Sequence, residues 1–227
     1  MRSLLVILFF CTQHLFAQTY EVGGMLAGAN ALGDIGSEKQ LQASSLGLGL
    51  LFKWNKSKRY AWRAHLNYAN LIFEDKASQD PSRLLRNLKT NTNLLELSAG
   101  LEVNFLTYNL HRFGPAFTPY LYTGLTVFRY DYNYFDQNRP VNTAKKDISF
   151  ALPLHFGAKA RLGSSTILGL EIGVRYTFTD NLDGSNPINS NFATYQFGDI
   201  NNNDWYVFSG LSLTYTFTRK PCSDCFD

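Results

Sequence analysis

The sequence predicts an all-β fold, an eight-stranded antiparallel up-and-down transmembrane β-barrel with long loops at one end and a short C-terminal tail. Three observations carry this expectation. Apolar and polar residues alternate with period two in about eight segments, as strands with one lipid-facing side require. The apolar faces end in aromatic residues. The connections alternate between short and long.

The alternation is clearest in "LLELSAGLEVNFL", Leu94 to Leu106. Leu95, Leu97, Ala99, Leu101, Val103 and Phe105 share one face, and Glu96, Ser98, Gly100, Glu102 and Asn104 share the other. A helix would scatter both sets around its circumference. Thr166 to Thr179 and Trp205 to Thr218 repeat the pattern, and so does Ile148 to Leu162, where His155, Lys159 and Arg161 oppose an apolar row. Weaker strands are expected at Tyr20 to Gly28, Ser45 to Trp54, Ala61 to Phe73 and Thr118 to Tyr130. The last is apolar or aromatic on both faces.

Aromatics at Trp54, Trp62, Tyr68, Tyr120, Tyr122, Tyr176, Phe178 and Phe217 are expected to form interfacial girdles. Charged residues make up 17% of the chain, low for a soluble domain. The competing fold is an exported soluble β-sandwich or lipocalin-like barrel. Low charge, long strands and polar-face glycines argue against it. "NKSKRY" (Asn55 to Tyr60) and Gly163 to Ser165 are short connections, and Thr107 to Phe117 is intermediate. Ala29 to Ser44, Glu74 to Asn93, Asp131 to Asp147 and Asp180 to Asp204 are expected to be long outer loops. With an even strand count, both termini then lie on the short-turn side, which in such barrels is periplasmic.

The start, "MRSLLVILFFCTQHLFAQ", is expected to be a signal peptide over residues 1–17, with Arg2, an apolar run and Ala17 at the cleavage point. The barrel is then expected over 18–218 and a periplasmic tail over 219–227. Cys222 and Cys225 would be the only thiols left in the exported chain. Export places them where disulfides form.

Charged residues on the polar faces include Glu96, Glu102, Glu171, Arg175, Lys159 and Arg161. An ion-pair network filling a narrow lumen is expected rather than a pore, because eight strands leave room only for side chains. The net charge of +3 comes with no Lys/Arg-rich stripe, so no nucleic-acid partner is expected. Catalysis is not expected: His65 and His155 fall on interior parity, His111 lies in a short-side turn, and no Gly-x-Ser-x-Gly is present. No cofactor or metal is expected either. "DNLDG" lacks the spacing of a calcium loop and reads as a hydrogen-bonded turn, and two thiolates supply half of a zinc site.

"TYEVGGMLAGANALGDIG", "LLFKWNKSKRYAWRAHLNYANL", "ELSAGLEVNF", "FTPYLYTGL" and "RYTFTDNLDGSNP" resemble the small outer-membrane barrels of the Bacteroidota, in particular the PorG type of the type IX secretion system. The resemblance implies an OmpA-like barrel without catalytic activity. It also implies association with a periplasmic ring of the lipoprotein PorK and its partner PorN. Partner contacts are then expected from Lys56, Lys58, Arg59, His111, Arg112, Arg219, Lys220, Cys222 and Cys225. The basic turn Lys56 to Arg59 has an equal reading as a surface that meets lipid phosphates. For the cysteine pair, three readings stay open: an intermolecular disulfide to the ring lipoprotein, a local or idle pair, and redox chemistry. An adhesion or envelope-stability role for the outer loops is the alternative to ring anchoring.

Overall fold

Eight strands hydrogen-bond in chain order and close on themselves. They are β1 (Thr19–Leu32), β2 (Ser45–Asn55), β3 (Tyr60–Glu74), β4 (Lys89–Asn104), β5 (Phe117–Asp136), β6 (Arg139–Arg161), β7 (Thr166–Thr177) and β8 (Trp205–Phe217). The computed structural model describes residues 19–36, 43–110, 116–187, 190–199 and 202–217. Every pair is antiparallel, and β1 meets β8 from Tyr20–Phe217 to Leu32–Trp205. Closure removes the sheet edges that an open sheet would leave unpaired.

Side-chain parity follows the sequence pattern. On β4, Leu97 is 53% exposed while Glu96 and Glu102 are fully buried. The outer wall carries exposed Leu26, Leu48, Leu50, Leu125, Leu152, Leu154, Phe156, Leu170, Leu211 and Leu213. A contiguous apolar surface of this kind is far beyond what a water-soluble monomer presents, so the wall is built for hydrocarbon. Aromatics border it at both ends. Tyr20 stacks near Trp54 and Phe52 at the short-turn end, and Tyr176 packs edge-on to Phe178 and Trp205 at the other.

Four expectations are revised. Tyr120 and Tyr122 do not belong to a girdle; both rings are fully buried in the lumen. The segment Asp131 to Asp147 is not a loop. β5 and β6 continue through it as a hairpin closed by Gln137 and Asn138, both at positive φ (46° and 64°), as a two-residue hairpin turn requires. Within Glu74 to Asn93 lie a 3-10 turn (Asp75–Ala77) and the helix α1 (Pro81–Arg86), and β4 already starts at Lys89. Asp80 caps α1 by accepting from the Ser82 amide, Pro81 pre-sets the first turn, and Asn87 ends it in the left-handed region. Finally, ion pairs fill only half of the lumen. Toward the long loops the interior is apolar: Leu71, Phe73, Leu94, Phe128, Phe208, and Ile35 and Leu182 from the loops form one core.

Candidate functional site

The charged half of the lumen lies toward the short turns. Neighbouring strands deliver its groups at matched heights, since Lys53 pairs with Arg63 and with Glu21 in register. Glu102 accepts from Lys159 at 2.6 Å and Lys53 at 2.8 Å. Glu171 takes a two-pronged contact from Arg63 (2.7 and 2.8 Å) and the Tyr120 hydroxyl at 2.5 Å. Glu96 accepts from Arg175 (2.8 and 3.2 Å), Asn67 and Tyr206. Glu21 accepts from Asn55 and Thr214. Four buried carboxylates thus face four buried cations, Lys53, Arg63, Lys159 and Arg175. Burial at this depth is tolerable only with each charge paired and hydrogen-bonded.

Between these pairs sit two imidazoles. The His65 and His155 rings lie 5.2 Å apart, with Tyr122 against both. Glycines make the room. A Cβ at Gly173 would fall 2.5 Å from the His155 ring, and one at Gly157 would fall 2.6 Å from Tyr120. Ser98 bonds to Tyr122 and Thr126, not to an imidazole. Arg161 stays outside the network; it is half-buried at the mouth and donates to the Asn109 carbonyl.

The short-turn mouth is basic. Among the described residues, its three connections contain Lys56, Lys58 and Arg59 but no Asp or Glu. Ser57 accepts from the amides of Arg59 and Tyr60 and shapes the turn. The Lys58 carbonyl accepts from the Tyr108 amide, docking the next connection onto it. Arg59 is held by the Phe105 carbonyl at 2.6 Å. Lys56 rests over the Trp54 ring, 5.3 Å from its centre. His111, Arg112, Arg219, Lys220, Cys222, Cys225 and residues 1–17 lie outside the described residues. Sequence reasoning passed over Tyr108, which sits in an unpatterned connection and closes the lumen from below with Lys159 4.7 Å from its ring.

The long-loop mouth is acidic and closed. Asp183 accepts from the amides of Ile35 and Ser185, with Gly184 at φ 84°, so "DNLDG" is a hydrogen-bonded turn. Asp204 accepts from the Leu182 amide at 2.7 Å. Burial and neighbouring carboxylates push Asp183 and Asp204 up, and burial raises Asp180 to about 6. Asp75, gripped by Arg86 at 2.9 Å, is instead held below its usual value.

No curated protein matches this sequence. Among solved structures, the chain is similar to OprG of Pseudomonas aeruginosa, an outer membrane protein, at 12% identity over 90% of this chain and 98% of that one (TM-score 0.46). It is also similar to Ail, the attachment invasion locus protein of Yersinia pestis, at 8% identity over 88% and 99% (TM-score 0.45). Neisserial surface protein A is similar at 12% identity over 88% and 96% (TM-score 0.45). The barrel assignment itself stands on the strand register given above. A family model described as a domain of unknown function, DUF6089, matches residues 1–226, and the chain therefore belongs to the DUF6089 family.

Proposed function

We propose that this chain is a non-catalytic outer-membrane anchor whose short-turn end grips the periplasmic ring of a type IX secretion system, formed by a PorK-like lipoprotein and a PorN-like partner. The observation that carries the reading is one-sidedness. The first and last described residues, Thr19 and Phe217, lie at the same end as the basic turn Lys56 to Arg59. That end presents Thr19, Phe217 and, among the described residues, connections that hold Lys56, Lys58 and Arg59 but no acid, while the apolar wall holds the protein in lipid. Complementary charge would steer and orient an acidic partner surface. In this reading residues 1–17 direct export, and both termini are periplasmic. The tail beyond Phe217 carries Cys222 and Cys225, at least one of which bonds the ring lipoprotein.

Affinity purification of the detergent-solubilised barrel tests the reading. Ring subunits are expected to come with the wild type and to fall by roughly tenfold after Lys56→Glu with Lys58→Glu, or after deletion of 219–227. A barrel that purifies alone contradicts it. On non-reducing gels the wild type is expected to run as a cross-linked species that Cys222→Ser with Cys225→Ser abolishes. Identical migration removes the disulfide. A second reading, adhesion or envelope stability through the long loops, is favoured by the β5–β6 hairpin, which continues from Asp131 to its turn after Asp136. Unchanged secretion with altered surface binding after loop deletion would select it.

A further inference from the structure

The outer wall holds a charge that nothing answers. Arg129 is exposed on the lipid-facing side of β5, on the same face as Leu125 and Val127 and nearer the long loops. Among the described residues, no ion pair, hydrogen bond or ring contact reaches its guanidinium. In register it stands between Leu95 of β4 and exposed Ile148 of β6. Leu95 in turn pairs with Tyr68, and Tyr68 with Leu48. The guanidinium thus interrupts an apolar and aromatic row. The next row toward the long loops is polar: Asn70 pairs with Asn93, and Asp131 with Lys146. That row answers its own charges. Asp131 accepts from the Asn93 amide at 3.1 Å and its side chain at 2.7 Å, and meets Lys146 at 3.3 Å. Arg129 therefore marks the level at which the hydrocarbon-facing wall gives way to polar surface.

Beside it the wall is grooved. A cleft of about 210 Å³ is lined chiefly by Leu48, Leu50, Leu66, Tyr68 and Leu95. Leu95 joins the two features. It lines the groove and is the partner of Arg129 on the adjoining strand, about 4.8 Å away. The Tyr68 hydroxyl is already committed to Asn93 at 2.9 Å, which leaves its ring as groove wall.

An unpaired guanidinium on a lipid-facing row is costly deep in hydrocarbon and tolerated at the boundary, where its long stem lets the head reach an anion. The anion at that boundary of a bilayer is a lipid phosphate, and the planar fork of arginine meets two of its oxygens at once. The groove one strand away is open to hydrocarbon and suits an acyl chain. A soluble anion would leave the groove unused, and a lipid without phosphate would leave the charge unanswered. A lipid that carries both uses both. We propose that Arg129 and the groove between Leu48 and Leu95 form a binding site for a phosphate-bearing lipid of the long-loop leaflet, with its phosphate on the guanidinium and an acyl chain in the groove. The site rests on the lipid-facing wall and not on ring anchoring, which concerns the opposite end of the barrel.

Native mass spectrometry of the barrel in a neutral detergent micelle, with lipid titrated in, tests the proposal. The probes are dioleoyl-phosphatidylglycerol, dioleoylglycerol, which lacks the phosphate, and glycerol phosphate, which lacks the chains. A saturable adduct with phosphatidylglycerol is expected, with both other probes about tenfold weaker or more. Arg129→Gln is expected to weaken phosphatidylglycerol about tenfold, and Leu50→Trp, which fills the groove and keeps the charge, several-fold. Both side chains face outward, so neither change disturbs the lumen. Lys145→Gln, on the projecting hairpin, is expected to change nothing. Phosphatidylglycerol adducts that accumulate without saturating would mean unspecific coating and overturn the proposal. So would equal binding of dioleoylglycerol, or binding like that of the wild type by either Arg129→Gln or Leu50→Trp.

Discussion

The two halves of this barrel share the same eight strands yet are filled by opposite chemistry. Toward the short turns, four carboxylates and four cations occupy the lumen. Toward the long loops, Leu71, Phe73, Phe128 and Phe208 pack as the core of a soluble domain would. The mouths differ as well: one is basic and floored by Tyr108, the other acidic and packed with Ile35 and Leu182. The difference teaches that closing a sheet in lipid dictates only the outer face. The inner face is free to be held by either ion pairs or apolar packing, and here each takes one half. Ion pairs are unforgiving of a missing partner, whereas an apolar core loses only area and volume.

Breaking one ion pair is therefore expected to give the largest effect. Glu171→Ala leaves the buried Arg63 guanidinium with only its longer contact to Glu102, at 3.5 Å, and should cost about 3–5 kcal/mol in denaturant unfolding from micelles. Leu71→Ala, in the apolar half, should cost about 2–5 kcal/mol, set by the cavity it leaves. The two halves are separated by their doubles. Arg63→Met with Glu171→Leu should cost less than either single change, because the uncompensated charge is gone. Additive losses would mean that the pair is not coupled.

A smaller effect is expected at the glycines. Gly157→Ala would bring a Cβ within 2.6 Å of Tyr120 and 2.7 Å of the Leu170 carbonyl, an overpacking cost of about 1–3 kcal/mol. Gly163→Ala in the mouth meets nothing within 4 Å and should be neutral. Equal unfolding midpoints for the two would mean that the lumen is looser than described.

Much of this was legible beforehand. The alternation at Leu94 to Leu106 already placed Glu96 and Glu102 on the face opposite the leucines, and the short and long connections set which barrel end holds Thr19 and Phe217. Other parts were not. β5 is apolar or aromatic on both faces, so parity cannot place Tyr120 and Tyr122; the bond of Tyr120 to Glu171 and the contact of Tyr122 with His155 on the neighbouring strand show why they turn inward. The β5–β6 extension mixes Asp, Asn and Lys with Tyr132, Tyr134 and Phe135 without clean alternation, has Asn133 opposite Asn142, and reads like a loop. Its strand character comes from the Gln137–Asn138 turn. Leu71 and Phe73 were read as part of a strand. That their interior neighbours are apolar follows from loop residues such as Ile35 and Leu182, which lie far away in sequence. Tyr108 had no pattern to betray it.

The smallest effect concerns pH at the acidic mouth. Asp180, Asp183 and Asp204 have folded-state values raised above those of the unfolded chain. For Asp180 that contribution is full below the unfolded value near 4 and is lost as pH rises toward about 6, and the contributions of Asp183 and Asp204 fall in the same direction. Asp75 is lowered, so its contribution is kept throughout that window. Amide hydrogen exchange in residues 178–187, corrected for intrinsic rates, should show stronger protection at pH 4.5 than at pH 7.5. The basic mouth, residues 55–60, should show no such change. Protection that rises with pH in 178–187 would reverse the assignment.

The lipid-facing wall is tested most directly by reconstituting the mature chain in vesicles whose acyl chains carry bromine and comparing tryptophan emission with that in ordinary vesicles. Trp62 and Trp205 are 51% and 39% exposed on the outer wall, so strong quenching by the brominated chains is expected. Emission that is unchanged by bromine yet quenched by aqueous iodide would contradict a wall that faces hydrocarbon.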